Sequence, residues 1–222
     1  RKIHNFDDMS TTSLYLKRGK EESLKRFHPW IFSGAVQRID GNPNEGEIVD
    51  VYTSEGYFIA KGHWQIGSIA VRVLTFENED IDIDFWKTRL QTALNVRRSI
   101  GVSGVENNNT YRLVHGEGDC LPGLIIDIYG QNAVMQAHSV GMHLDRNIIA
   151  EALCSVMGGE LKSIYYKSET TLPFKAGLGQ ENAFIYGSSD DNVSIENGLK
   201  FHIDWLKGQK TGFFVDQRDN RS

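Results

Sequence analysis

The sequence predicts an α+β multidomain chain: a small β-barrel, a middle α+β domain, and a strand hairpin that opens a third unit. Three observations carry this. Short alternating runs follow one another closely between Ser13 and Leu74 with one small helical stretch among them, as in a compact barrel. An acidic, linker-like segment from Asn78 to Asp84 then gives way to apolar residues at helical spacing. Later, Asn197-Gly198 between two alternating runs is the strongest hairpin signal in the chain.

The chain has 222 residues, enough for one large domain or two small ones with a sizeable core. Hydrophobic residues make up 40% and charged residues 24%, an ordinary balance for a soluble globular protein. A net charge of −5 argues against a general polyanion binder but allows a local basic face on an acidic body. No apolar run reaches the length of a membrane span and no signal-peptide pattern opens the chain, so no membrane partner is expected. Cys120 and Cys154 stand in no metal-like spacing. They argue against a disulfide framework or a metal site and point to a reducing, cytoplasmic setting. The missing initial Met and the stop at Ser222, just past a motif-rich stretch, read as a piece of a longer protein.

The elements follow in order. Residues before about Thr12 are polar and irregular. Ser13–Lys17 reads as a short strand, and Gly19 to Phe27 as one or two helical turns stopped by His28 before Pro29. Strands follow at Ala35–Ile39, Ile48–Thr53, Tyr57–Lys61 and Ser68–Leu74, the last with Ile69, Val71 and Val73 on one face. Gly41-Asn42-Pro43 and Glu55-Gly56 turn between them. A boundary near Asp80 makes the barrel span residues 13–80.

Asp84 then reads as the N-cap of a helix carrying Trp86, Leu90, Ala93, Leu94 and Ile100 on one stripe, with Gly101 as its stop. Strands at Tyr111–His115, Leu124–Tyr129 and Ala133–Ala137 follow, the last two joined by a tight turn at Gly130-Gln131. Val140, Leu144, Ile148, Ala152, Leu153 and Val156 mark a second helix closed by Gly158-Gly159. Strands at Ser163–Lys167 and Ala183–Tyr186 complete a middle domain over 84–188. A further boundary near Ser188 to Asp191 sets off residues 190–222.

Residues 205–221 are the densest in chemistry. Leu199, Phe201, Ile203 and Trp205 alternate with Lys200, His202 and Asp204, which is a half-buried strand. The polar loop after it presents Gln209, Lys210 and Thr211 with a hinge at Gly212. Gln217, Arg218, Asn220 and Arg221 read as the opening of a helix whose N-terminal amides would meet an anion.

Four segments, in order, resemble bacterial PUA-domain-containing large-subunit rRNA cytosine-C5 methyltransferases. Leu16-Lys17-Arg18-Gly19-Lys20 through Phe27-His28-Pro29-Trp30-Ile31-Phe32-Ser33-Gly34-Ala35 looks like the start of that family's PUA domain, and Gly62-His63-Trp64 through Ser68–Leu74 like its closing strand. Tyr111-Arg112-Leu113-Val114-His115-Gly116-Glu117-Gly118-Asp119-Cys120-Leu121-Pro122-Gly123 through Asp127 is similar to its middle-domain hallmark. Gly208-Gln209-Lys210-Thr211-Gly212-Phe213-Phe214-Val215-Asp216-Gln217-Arg218-Asp219-Asn220-Arg221 resembles the signature leading into its catalytic domain. Lys167 to Pro173 matches only loosely.

The resemblance implies that residues 190–222 are the first hairpin of an incomplete Rossmann-like methyltransferase domain, and that the cofactor is S-adenosylmethionine. It implies that the intact protein methylates C5 of a cytosine in large-subunit (23S) rRNA, its partner. It places the family's Gly-rich strand, Asp-Pro-Pro motif and nucleophilic cysteine beyond Ser222, so this chain alone is expected to be inactive. A homodimer stays open.

The candidate residues each carry a plainer reading. Lys210, Thr211, Gly212, Gln217 and Arg218 are either the rim of a cofactor cleft, as the resemblance implies, or a capped loop with solvated charges. Phe213 and Phe214 stack on a base or join the core. Lys17, Arg18, Lys20, Lys25, Arg26 and Trp30 are either RNA contacts or a solvated face offset by Glu21 and Glu22. Arg112, Glu117 and Asp119 either form an ion-pair brace, the plainer reading, or line a cleft. Thiolate addition to C6 of cytosine needs an activated cysteine, and neither Cys120 nor Cys154 has a cation fixed beside it by sequence. No P-loop, dinucleotide fingerprint or zincin pattern survives inspection. Two other classes remain: a stand-alone RNA-binding module that ignores the cofactor, and an interaction fragment whose acidic surface meets a protein.

Overall fold

The computed structural model describes residues 12–173 and 177–221 and falls into two compact units, residues 1–78 and 79–222. The irregular stretch expected before Thr12 lies outside the described residues.

The first unit is a six-stranded sheet. Its strands are β1 (Thr12–Leu16), β2 (Trp30–Phe32), β3 (Val36–Asp40), β4 (Ile48–Tyr52), β5 (Phe58–Trp64) and β6 (Ile69–Thr75), in the order β2-β6-β5-β4-β1-β3. All neighbours are antiparallel except β1 and β4. The two edge strands, β2 and β3, are joined by nothing longer than the 3-10 turn Ser33–Ala35. A flat sheet of this size would be about 24 Å wide, whereas four residue steps reach at most about 14 Å. The sheet must therefore curl until its edges approach, around Leu14, Leu16, Ile31, Val49, Val51, Val71 and Val73.

The first unit departs from the sequence pattern in two places. Strand β2 has no counterpart there, because three residues are too few to show alternation. The helical stretch before it shrinks to one 3-10 turn, Leu24–Arg26, ended by Phe27 in the left-handed region (φ 61°) rather than by His28.

The second unit has a five-stranded sheet in the order β11-β10-β9-β8-β7. These are β7 (Thr110–His115), β8 (Leu124–Tyr129), β9 (Asn132–Ala137), β10 (Ser163–Tyr166) and β11 (Ala183–Gly187). Helix α1 (Ile83–Ser99) is capped by Asp82 rather than Asp84, the Asp82 carboxylate accepting from the backbone N–H of Asp84 and Phe85 at 3.0 Å each. The second predicted helix is two, α2 (Val140–Leu144) and α3 (Arg146–Val156), broken at Asp145. They form the crossover that the parallel pair β9/β10 requires.

The Asn-Gly hairpin is present as β12 (Val193–Glu196) and β13 (Leu199–His202), with Asn197 and Gly198 both at positive φ. It is tied to the start of β7: Asn109 N–H donates to Ile195 O at 2.9 Å, and Asn109 Oδ1 accepts from Ile195 N–H at 2.6 Å. The strand expected to run to Trp205 stops at His202. The helix expected from Gln217 is a single 3-10 turn, Val215–Gln217, and the next two backbone bonds are also i to i−3.

Candidate functional site

Strand pairing sets the floor of the site. Residues two apart on a strand share a face, so β8 presents Asp127 and Tyr129 together, and β7 places Arg112 directly opposite Asp127. The Arg112 guanidinium grips the fully buried Asp127 carboxylate with two bonds, 2.8 and 3.0 Å. That grip raises the arginine's pKa against the opposing effect of burial. Thr211 arrives from the 205–221 loop, and its hydroxyl donates to Asp127 Oδ2 at 2.6 Å. With its proton so committed, the same oxygen accepts from Tyr129 Oη at 2.8 Å. Burial, then the Asp127 charge, push the Tyr129 phenol well above its ordinary range, so it stays a donor.

Apolar contacts and close backbone packing fix the loop above this floor. Trp205 stacks parallel to Tyr129 at 6.4 Å, and Ile203, Val134 and Tyr165 complete a cluster on which Phe201, Phe213 and Val215 pack. Gly212 sits at φ +115°, and a Cβ there would lie 2.7 Å from Trp205 Cα and 2.9 Å from Asp204 O. Only glycine allows that approach. Lys167 Nζ donates to Gly208 O at 2.5 Å, closing the loop from β10's side. Arg221 donates two bonds to the buried Glu196 carboxylate, 2.8 and 2.9 Å, and lies 4.2 Å from the Phe213 ring centroid.

The expected cleft residues therefore divide. Thr211 is fully buried with its hydroxyl engaged, and Gly212 serves backbone packing. Arg218 donates from Nη2 to Thr110 O at 2.6 Å. Gln217 is exposed and bonded to Asp216 and Asn220, and Lys210 is exposed with Nζ 4.8 Å above the Phe214 ring. A cavity of about 330 Å³ beside the loop is lined by Arg97, Tyr111, Arg112, His115, Asp216 and Arg218 among others. S-adenosylmethionine fits these residues only at its edge: polar side chains of both signs face the cavity, but Thr211 and Gly212 point into the protein's own packing.

Phe213 joins the core cluster while Phe214 stays 43% exposed. The brace expected among Arg112, Glu117 and Asp119 is built with other partners: Arg112 pairs with Asp127, and Asp119 with Arg97. Sequence reasoning missed Asp127, Glu196 and Lys167 as supports of the loop. Asp127 carries the one legible signal, a charge inside the apolar run Leu124–Tyr129. Cys120 is exposed at the end of the 3-10 turn Gly116–Asp119, and burial raises the Cys154 thiol. Among the described residues no cluster of His, Cys, Asp and Glu could hold a metal ion, and no helix is long and apolar enough to cross a membrane.

In the first unit the basic residues gather before β2. Lys17 Nζ donates to Gly34 O at 2.9 Å, Lys25 pairs with Glu22 at 2.7 Å, and Arg26 Nε donates to Glu22 O at 3.3 Å. The Arg18 and Lys20 side chains are exposed. Trp30 is half-buried, with Lys20 beside it on the wall of a pocket of about 310 Å³.

Comparison with known proteins places these features in context. Residues 14–76 match the model of a PUA-like domain. The chain is 40% identical over 220 residues to ribosomal RNA large subunit methyltransferase I of Aeromonas hydrophila, covering 95% of this chain and 53% of that protein. It is 42% identical over 219 residues to the protein of the same name from Tolumonas auensis, covering 96% and 54%. Among solved structures, a Streptococcus mutans protein assigned as a SAM-dependent methyltransferase superposes with a TM-score of 0.75 at 20% identity, over 94% of this chain and 52% of that one. A second, assigned as a methyltransferase and solved in complex with SAH, gives 0.76 at 20% identity, over 94% and 52%. The chain thus spans about half the length of the curated relatives it matches and has the fold of the matching part of both structures.

Proposed function

We propose that the whole protein transfers a methyl group from S-adenosylmethionine to C5 of a cytosine in large-subunit (23S) rRNA. Residues 13–80 would be its RNA-binding barrel, 84–188 a middle domain, and 190–222 the start of a Rossmann-like methyltransferase domain. The observation that carries this reading is the match over 95% of the chain, at 40% identity, to an rRNA large-subunit methyltransferase. The cofactor supplies an electrophilic methyl group. This chain's own part is to bind and orient. Lys210, Gln217 and Arg218 form the rim of the cofactor cleft; Thr211 and Gly212 hold that rim against β8; Lys17, Arg18, Lys20, Lys25, Arg26 and Trp30 meet RNA. The nucleophilic thiolate that must add to C6 comes from outside this chain, as the family resemblance implies; burial holds the Cys154 thiol protonated, and the sequence fixes no cation beside Cys120.

The test is methyl transfer by the intact protein onto 23S rRNA with a labelled donor, followed by mass spectrometry of the nucleosides. Label in 5-methylcytidine is expected. Label in another nucleoside, or none, overturns the reading. Transfer by the 222-residue chain alone would overturn the placement of the nucleophile.

A further inference from the structure

Strand β2 turns its two faces to different surroundings. Ile31 faces inward and is buried in the barrel core. His28, Trp30 and Phe32, spaced two apart, share the other face. Their rings form one cluster: His28 to Trp30 at 5.9 Å, His28 to Phe32 at 6.3 Å, Trp30 to Phe32 at 6.4 Å. Phe32 is 50% exposed at the outer end of that cluster. Aromatic surface left open on an edge strand is costly to keep in water without an occupant.

The adjoining pocket has the dimensions and chemistry of a small flat ligand. Its volume of about 310 Å³ lies at the bottom of the range for ligand sites. Trp30 and Phe32 wall it, Leu24 adds apolar surface, and Ser23 and Lys20 supply a hydroxyl and a cation. Lys17, bonded to Gly34 O at the pocket's margin, adds a second cation, and Arg18 is exposed next to it in the chain. Five cations against two carboxylates between Lys17 and Arg26 make this segment a local reversal of the chain's net charge of −5. Apolar aromatic walls with cations at one margin match a base joined to a phosphate. A base inside an A-form helix has both faces covered by its neighbours and cannot enter.

We propose that this pocket receives one unpaired RNA nucleotide, its base stacked on Trp30 and Phe32 and its phosphate met by Lys20 and Lys17. The inference rests on the RNA-binding reading above and adds that the unit selects an unstacked base over a continuous duplex.

The experiment titrates the chain with two RNA hairpins of equal stem length, one fully paired and one carrying a single bulged 2-aminopurine. About tenfold tighter binding of the bulged hairpin is expected, with quenching of the probe's fluorescence as its base stacks. Phe32→Ala should abolish that preference while leaving binding of the paired hairpin unchanged; Trp30→Ala should abolish it and weaken both RNAs, and Trp30→Phe should retain it. Lys20→Ala should weaken both RNAs and lower the salt slope by about one. Phe32 is half exposed, so Phe32→Ala decides even where Trp30→Ala fails to fold. Equal affinity for the two hairpins, or a preference that survives Phe32→Ala, overturns the pocket but leaves RNA binding standing. No binding of either hairpin overturns both.

Discussion

Thr211 donates its hydroxyl to Asp127 across 84 positions of sequence, and in doing so becomes the acceptor for Tyr129. A single hydroxyl thus couples the 205–221 loop to a charged pair, Arg112 and Asp127, on the second unit's sheet. Thr211→Val keeps the shape and removes both bonds. It should cost about 1–3 kcal/mol, because a buried phenol and a carboxylate lone pair both lose a partner. Thr211→Ser should restore most of that. Urea unfolding of the three proteins reads the difference.

Glu196 is buried, and Arg221 supplies two of its bonds with Arg218 Nε a further 3.9 Å away. Arg221→Ala strands that carboxylate. It should destabilise the loop by about 3 kcal/mol, more than Arg218→Ala, whose guanidinium is the outer neighbour. Paired amide exchange at Phe213 to Gln217 would check the ranking; equal loss of protection in the two variants would contradict it.

Glycine positions with positive φ are not equivalent. At Gly198, φ +78°, an added methyl group would meet nothing within 4 Å, so Gly198→Ala should cost about 1 kcal/mol of backbone strain. Gly212→Ala meets backbone at 2.7 Å as well and should dislodge the loop from Trp205. Limited trypsin digestion should then cleave at Lys207 and Lys210 in Gly212→Ala but not in Gly198→Ala.

Burial, then the Arg146 charge, hold the His143 imidazole below its ordinary pKa, and its Nδ1 faces Tyr166 Oη at 2.8 Å. Burial does the same at His138, reinforced by Arg112 and opposed by Glu117. A histidine with a depressed folded pKa binds fewer protons folded than unfolded. Its contribution is complete above the unfolded value of about 6.5 and is lost as pH falls towards the folded one. Stability should therefore decline from pH 7 to pH 5, and His143→Gln should flatten part of that slope. Melting temperatures across the range decide it.

Elements with local signals are legible in the sequence. The Asn197-Gly198 turn needs two residues of positive φ and says so in its letters, and the apolar stripe of α1 spells a helix. Strand β2 is hidden because its length is three residues and its identity depends on β6 alongside. Asp84 reads as the cap where Asp82 is, since two acids two positions apart look alike until one accepts the amide bonds. The 205–221 loop is visible as a motif, but its supports are not. Asp127, Glu196 and Lys167 act on it from 25 to 84 residues away, and composition carries no trace of such pairing.

Chains are made from the N-terminal side, and domains form as they emerge. Strand β8 is complete long before Ile203, Trp205 and Thr211 have been joined to the chain. Until they arrive, the faces of Tyr129 and Val134 lie bare and Asp127 is held by Arg112 without its second partner. The second unit is therefore born with an open face, and a nascent chain paused before residue 203 should be the form that chaperones find.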